Sequence, residues 1–191
     1  AGALRLTNHP SSGPVFSGPQ QSPFVCETAS FELPDGTTPG SPLDPATCST
    51  ATRVDFVYWS SSQQRYRPLV DPGQVPADAE SIVVDGNAVR HVARVETGTI
   101  NRAIYQIAML HDPARDPAPS VHARTHGWNR KLVFAFGGGC DDGWYRQGKT
   151  AGWWSWYFEN GELQRKVSVL DHELLRRGYA VASSTLNVFG N

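Results

Sequence analysis

The stretch Lys131-Leu-Val-Phe-Ala-Phe-Gly-Gly-Gly-Cys140 constrains the fold more than any other part of the chain. Its apolar, aromatic and β-branched residues run without a polar break into three glycines. Such a run suits a strand covered on both faces, as in a parallel sheet. The glycines let the backbone take positive φ and approach another group with no Cβ in the way. A buried strand that ends in upturned N–H groups is one way to build an oxyanion hole. A glycine turn without chemical consequence fits the same letters. Gly138, Gly139 and Cys140 are the candidate oxyanion-hole donors, and Gly137, Asp141, Asp142 and Trp144 are candidate substrate contacts beside them. The two carboxylates could orient a substrate, although adjacent acids in a loop are often simply solvated.

Upstream, residues 1–50 carry Pro10, Pro14, Pro19, Pro23, Pro34, Pro39, Pro42 and Pro45, which break any long element. Such a segment is expected to lie over a scaffold made by the rest. Arg53 to Trp59 alternates at Val54, Phe56 and Tyr58 and reads as a strand. Ser81 to Val84 is a short strand candidate between two turn sequences, Val70-Asp-Pro-Gly73 and Val84-Asp-Gly-Asn87. His91 to Gly98 and Ile100 to Leu110 read as neighbouring strands joined around Thr97-Gly98, although Ala, Gln, Met and Leu would also let the second form a helix. Residues 111–129, with three prolines, form a loop.

After the glycines, Trp153, Trp154 and Trp156 belong to an aromatic stretch that fits a core or interface, or a hydrophobic substrate wall. Val167, Leu170, Leu174 and Leu175 then share one helical face. Arg176 and Arg177 suit the last turn, and Gly178 the position beyond it. His172 on that helix reads as structural or exposed, and His111, His122 and His126 lack ligand-like spacing. Tyr179 to Thr185 is a further strand. Strand, glycine loop, helix and strand make a β-loop-α-β unit whose two strands should be parallel.

Composition narrows the function. The 191 residues carry a formal net charge of -1 with no basic stripe, which argues against nucleic acid as a partner. No apolar run is long enough to span a membrane. Cys26 and Cys48 lie in the proline-rich segment, where a bridge would hold the chain, and their pairing implies an oxidising, extracellular or periplasmic compartment. Cys140 is left as a buried thiol, a nucleophile or half of an intermolecular bridge. The start at Ala1 suggests a removed leader. No motif calls for a cofactor or a metal.

Phe134 to Cys140, followed by Leu174-Leu-Arg-Arg-Gly-Tyr-Ala-Val-Ala-Ser-Ser184, resembles secreted bacterial α/β-hydrolases of the tannase and feruloyl-esterase type, within a largely uncharacterised subgroup. Pro23 to Cys26 and Val95 to Arg102 look like that group too. The resemblance implies an α/β fold: residues 1–90 form a loop- and strand-rich, disulfide-stapled extension, and 91–191 the first strands and helix of a hydrolase domain. It also implies cleavage of a small ester or amide by a serine hydrolase. Thr185-Leu-Asn-Val-Phe189 departs from the Asp-Thr-Gly-His-like ending common in tannases, which leaves the substrate class open.

No Gly-x-Ser-x-Gly nucleophile elbow occurs in these residues. In hydrolases of this type the serine follows the next strand, with acid and histidine later. The expectation is therefore an N-terminal fragment or subunit, with the triad on a second polypeptide. Two other readings stand beside it. One is the α-subunit of an autoprocessed amidase with an N-terminal nucleophile, and the other is a carbohydrate- or surface-binding module built on the tryptophans.

Overall fold

The computed structural model describes residues 26–120, 122–134, 145–146, 149–150, 156–159, 162–165 and 169–185. The strands are β1 (Arg53–Ser60), β2 (Arg65–Pro68), β3 (Ser81–Val84), β4 (Asn87–Arg90), β5 (Val92–Ile100), β6 (Ala103–Leu110) and β7 (Leu132–Phe134). Two short antiparallel ribbons follow, β8 (Tyr145–Arg146) with β9 (Lys149–Thr150), and β10 (Trp156–Glu159) with β11 (Glu162–Arg165). Helix α1 (His172–Arg176) and strand β12 (Ala180–Ser184) complete the described elements. Six strands form one mixed sheet in the order β2-β1-β5-β6-β12-β7. Within it only β12 and β7 are parallel.

The β5–β6 hairpin carries the longest ladder, from Ala93 opposite Leu110 to Ile100 opposite Ala103. The turn is Asn101-Arg102, not Thr97-Gly98 as the sequence suggested. Both turn residues have positive φ, 50° and 67°, as a two-residue type I′ connection requires. Gly98 is instead a strand residue facing Tyr105, whose ring lies where a Cβ would stand. The helical alternative for Ile100 to Leu110 is thereby excluded, because tertiary pairing overrides a weak propensity. Alternate residues Ile104, Gln106, Ala108 and Leu110 turn inward, and buried Gln106 donates to Thr97 Oγ1. Asp85-Gly86 makes a second turn of the same kind between β3 and β4.

One face of the sheet is covered by Phe31 and Leu33 of the N-terminal loop, Ile82, Val84 and Val89 of the β3–β4 hairpin, and Val169 and Leu175 around α1. They meet Val57, Val95, Ala108 and Val181 from the strands. Burying a Leu such as Leu175 contributes about 1.5–3 kcal/mol. The opposite face holds a row of Val54, Glu96, Ile107, Ala182 and Phe134 across the strands, with Val54 and Phe134 exposed. In β1 the deepest apolar side chain is thus Val57, on the face opposite Val54.

The expected helix is real but shorter. Asp171 caps it by accepting from Leu174 N–H, so it starts at His172. Val169 and Leu170 precede the cap and still pack on the core. Gly178 ends the helix at φ +79° as anticipated. Asn129 then fixes the parallel register. Its N–H donates to Gly178 O, its side-chain amide donates to Arg177 O, and its side-chain oxygen accepts from Lys131 N–H.

The N-terminal loop is tied twice. Cys26 and Cys48 form the expected disulfide. Arg53 of β1 reaches the Thr37 hydroxyl and pairs with Asp35 and Asp55. Burial works against the Asp35 carboxylate, but bonds from Thr37 and Arg53 outweigh it and hold the pKa at about 2. No described helix is long and apolar enough to cross a membrane.

Two expectations test these contacts. Gly178→Ala sets a Cβ 2.8 Å from Gly127 O and 2.5 Å from a Val84 methyl at a positive φ. It should cost about 2–4 kcal/mol in urea unfolding. Gly36→Ala, with similar φ and open space around it, should cost only about 1 kcal/mol. Because the folded pKa of Asp35 is depressed, its stabilisation is complete above the ordinary value of 3.8 and is lost as pH falls through about 2. The melting-temperature gap between the native chain and Asp35→Asn should therefore close over that interval.

Candidate functional site

Gly137, Gly138, Gly139, Cys140, Asp141, Asp142 and Trp144 lie outside the described residues, which stop at Phe134 and resume at Tyr145. The strand leading to them is placed. β7 lies beside β12 in parallel, with Leu132 opposite Ala180 and Phe134 opposite Ala182. The anticipated β-loop-α-β unit has its two strands and its helix.

At the carboxyl end of this pair the sheet carries a groove of about 550 Å³. Phe134, Ser183 and Ser184 line it from the ends of β7 and β12, and Tyr105 and Ile107 from β6. Thr99 and Ile100 contribute from the end of β5, and Thr52 from the segment before β1. In open sheets with parallel strands, ligands bind in the crevice outside the carboxyl ends. The chain leaving β12 is anchored there, since Thr185 N–H donates to Ile104 O and Thr185 Oγ1 accepts from Ile104 N–H.

A second constellation lies where the β3–β4 hairpin meets α1. The backbones of Trp59, Glu80 and His91 close a ring. Trp59 N–H donates to His91 O at 3.0 Å, Glu80 N–H to Trp59 O at 2.9 Å, and His91 N–H to Glu80 O at 2.7 Å. Their side chains are therefore aimed by paired backbone. His91 Nδ1 lies 2.8 Å and His172 Nε2 3.0 Å from the same oxygen, Glu80 Oε2. The two rings are nearly parallel with centroids 5.1 Å apart, and Trp59 stacks on His172 at 3.8 Å. His91 is fully buried, and its Nε2 meets the Tyr66 hydroxyl at 2.9 Å. Arg176 Nε approaches the other Glu80 oxygen at 3.5 Å.

The charges follow from these contacts. Burial lowers the His91 pKa and outweighs the pull of Glu80, so the ring is held neutral. Burial also opposes the Glu80 charge, but hydrogen bonds from His172 and His91 prevail and lower its pKa. Burial, with the Asp171 and Glu80 carboxylates nearby, pushes the Tyr66 phenol far above its usual range. Tyr66 thus stays a hydroxyl. With Nδ1–H directed at Glu80, His91 Nε2 accepts from Tyr66.

Sequence reasoning missed this group. His172 reads as structural or exposed in isolation, yet it is half-buried against Glu80 and Trp59. Its partner is 92 positions away, and Glu80 and His91 are 11 apart, so no local spacing betrays them. Two further described histidines have partners of their own. His126 pairs with Asp116, and His111 packs against the Phe56 ring.

The described residues thus define a mixed-sheet protein with little helix, one disulfide, and a groove at the carboxyl end of its parallel pair. The chain belongs to the Tannase-like family of unknown function (DUF6351), whose model matches residues 1–191. No curated protein and no solved structure matches it. At a coarse level the family points to an ester hydrolase, and the disulfide is consistent with an extracellular location.

Tyr66→Phe removes the hydroxyl that pairs with buried His91 Nε2. It should destabilise the chain by about 1–3 kcal/mol in urea unfolding.

Proposed function

We propose that this chain supplies the scaffold and the oxyanion hole of a secreted serine hydrolase acting on a small ester or amide. One observation carries the reading. In a member of a tannase-like family, the strand that runs into Gly137-Gly138-Gly139 pairs in parallel with the strand reached through α1. That is the arrangement expected of an α/β-hydrolase sheet whose early strand presents backbone N–H groups at its carboxyl end.

In this reading the N–H groups of Gly138, Gly139 and Cys140 receive the negative charge that develops on the carbonyl oxygen. Donors fixed in advance stabilise that charge without reorganising during the reaction. Gly137, Asp141, Asp142 and Trp144 border the substrate. The groove beside Tyr105, Ile107 and Phe134 accepts its apolar part, and the threonine and serine hydroxyls at the rim accept its polar part. Serine, histidine and acid come from a further polypeptide segment. The serine attacks the carbonyl carbon, the histidine takes its proton, and the same histidine returns a proton to the leaving group. The proposed docking place for that polypeptide is β7, the end strand of the described sheet.

The test is kinetic. The protein isolated from its native host, with any polypeptide that co-purifies, should hydrolyse p-nitrophenyl acetate or the methyl ester of a phenolic acid. Gly138→Val should lower kcat by about 100-fold, the scale of losing one oxyanion donor, while circular dichroism stays unchanged. An undiminished kcat would remove Gly138 from the site.

A further inference from the structure

We infer that Glu80, His91 and His172 form a binding site for a divalent transition-metal ion of the zinc class. Their ligand atoms, one carboxylate oxygen and two imidazole nitrogens, all lie within 4.8 Å of one another. This donor set suits a borderline-soft ion such as Zn²⁺ rather than Ca²⁺ or Mg²⁺, which prefer oxygen throughout.

The three ligands come from three places in the chain: the residue before β3, the residue between β4 and β5, and the first residue of α1. Folding nevertheless directs both ring nitrogens at a single point, Glu80 Oε2. Ligand atoms around a tetrahedral ion at about 2.1 Å lie roughly 3.4 Å apart. The observed nitrogen–oxygen separations are 2.8 and 3.0 Å, so the group need open by only about half an ångström.

The surroundings fit the role as well. Metal-bound imidazoles are usually oriented by a partner on the other nitrogen. Tyr66 stands at His91 Nε2, and Glu173 lies 3.7 Å from His172 Nδ1. With an ion on His91 Nδ1, the ring proton moves to Nε2 and the Tyr66 hydroxyl becomes the acceptor, a role it can exchange without moving. The backbone ring of Trp59, Glu80 and His91 holds two ligands in place before the ion arrives. Arg176 approaches Oε1 and leaves Oε2 to the ion. Three protein ligands leave a fourth position to water. Bound there, Zn²⁺ clamps the start of α1 to both ends of the β3–β4 hairpin.

Equilibrium dialysis of the metal-stripped full protein against ZnSO4, with elemental analysis, tests the site. One Zn²⁺ per chain with a Kd below about 1 μM is expected, and Zn²⁺ should raise the melting temperature of the unaltered protein. Zinc absorption spectroscopy should show two imidazole nitrogens at about 2.0–2.1 Å. His172→Ala and Glu80→Gln should each weaken binding at least 10-fold, whereas His126→Ala should not. Absence of stoichiometric binding by the unaltered protein would overturn the inference and leave a hydrogen-bonded cluster. Tight binding that survives both ligand substitutions would overturn it equally, by placing the ion elsewhere.

Discussion

The register of β5 against β6 is the constraint on which the rest of the structure depends. Side chains alternate across a strand, so a slip of β6 by one residue would carry its inward set, Ile104, Ala108 and Leu110, from the core to the open face. The turn prevents this. With Asn101 and Arg102 both at positive φ, only a two-residue connection of one hand joins the strands. β1 then pairs with the outer edge of β5, and β12 with the outer edge of β6. Both flanking strands share the alternation set at this hairpin.

That alternation also separates the two sites. Inward-facing positions of β6 and β12 meet α1, the β3–β4 hairpin and the N-terminal loop, and the histidine–carboxylate group lies on that side. Tyr105, Ile107 and Ala182 turn to the opposite face and line the groove. Helix α1 serves both. Its first residue joins the polar group, and the chain beyond Gly178 enters β12, whose far end borders the groove.

What was legible in the sequence was legible because it was local. The strand at Arg53 to Trp59, the Asp85-Gly86 turn, the Gly178 helix end and the parallel relation of β7 to β12 follow from period, turn chemistry and connection rules. The β5–β6 turn is hard to place from sequence because Thr97-Gly98 carries the more obvious turn letters, while Asn101-Arg102 places an arginine where glycine is commoner. Gly98 has another reason to be glycine, the ring of Tyr105 across the ladder. The apolar period overstates the helix because it does not reveal where a cap will begin it, and Asp171 does so. The Glu80–His91–His172 group was illegible for a different reason. His172 joins Glu80 and His91 only through the packing of α1 on the hairpin, and no single-sequence pattern spans that distance.

The position of β12 has a consequence for how the chain acquires its shape. β12 is last in sequence among the described strands, yet it lies between β6 and β7. Among the described strands β7 has no other neighbour in the sheet. During synthesis the β1, β5 and β6 strands can assemble through antiparallel contacts of modest sequence separation. The pairing of β7 with β12 must wait until residues 180–184 have emerged and inserted beside β6. Long-range pairing of this kind is slow, because loop closure precedes any gain from contact. The edges of β6 and β7 that β12 covers are thus open to wrong partners until the final described strand arrives.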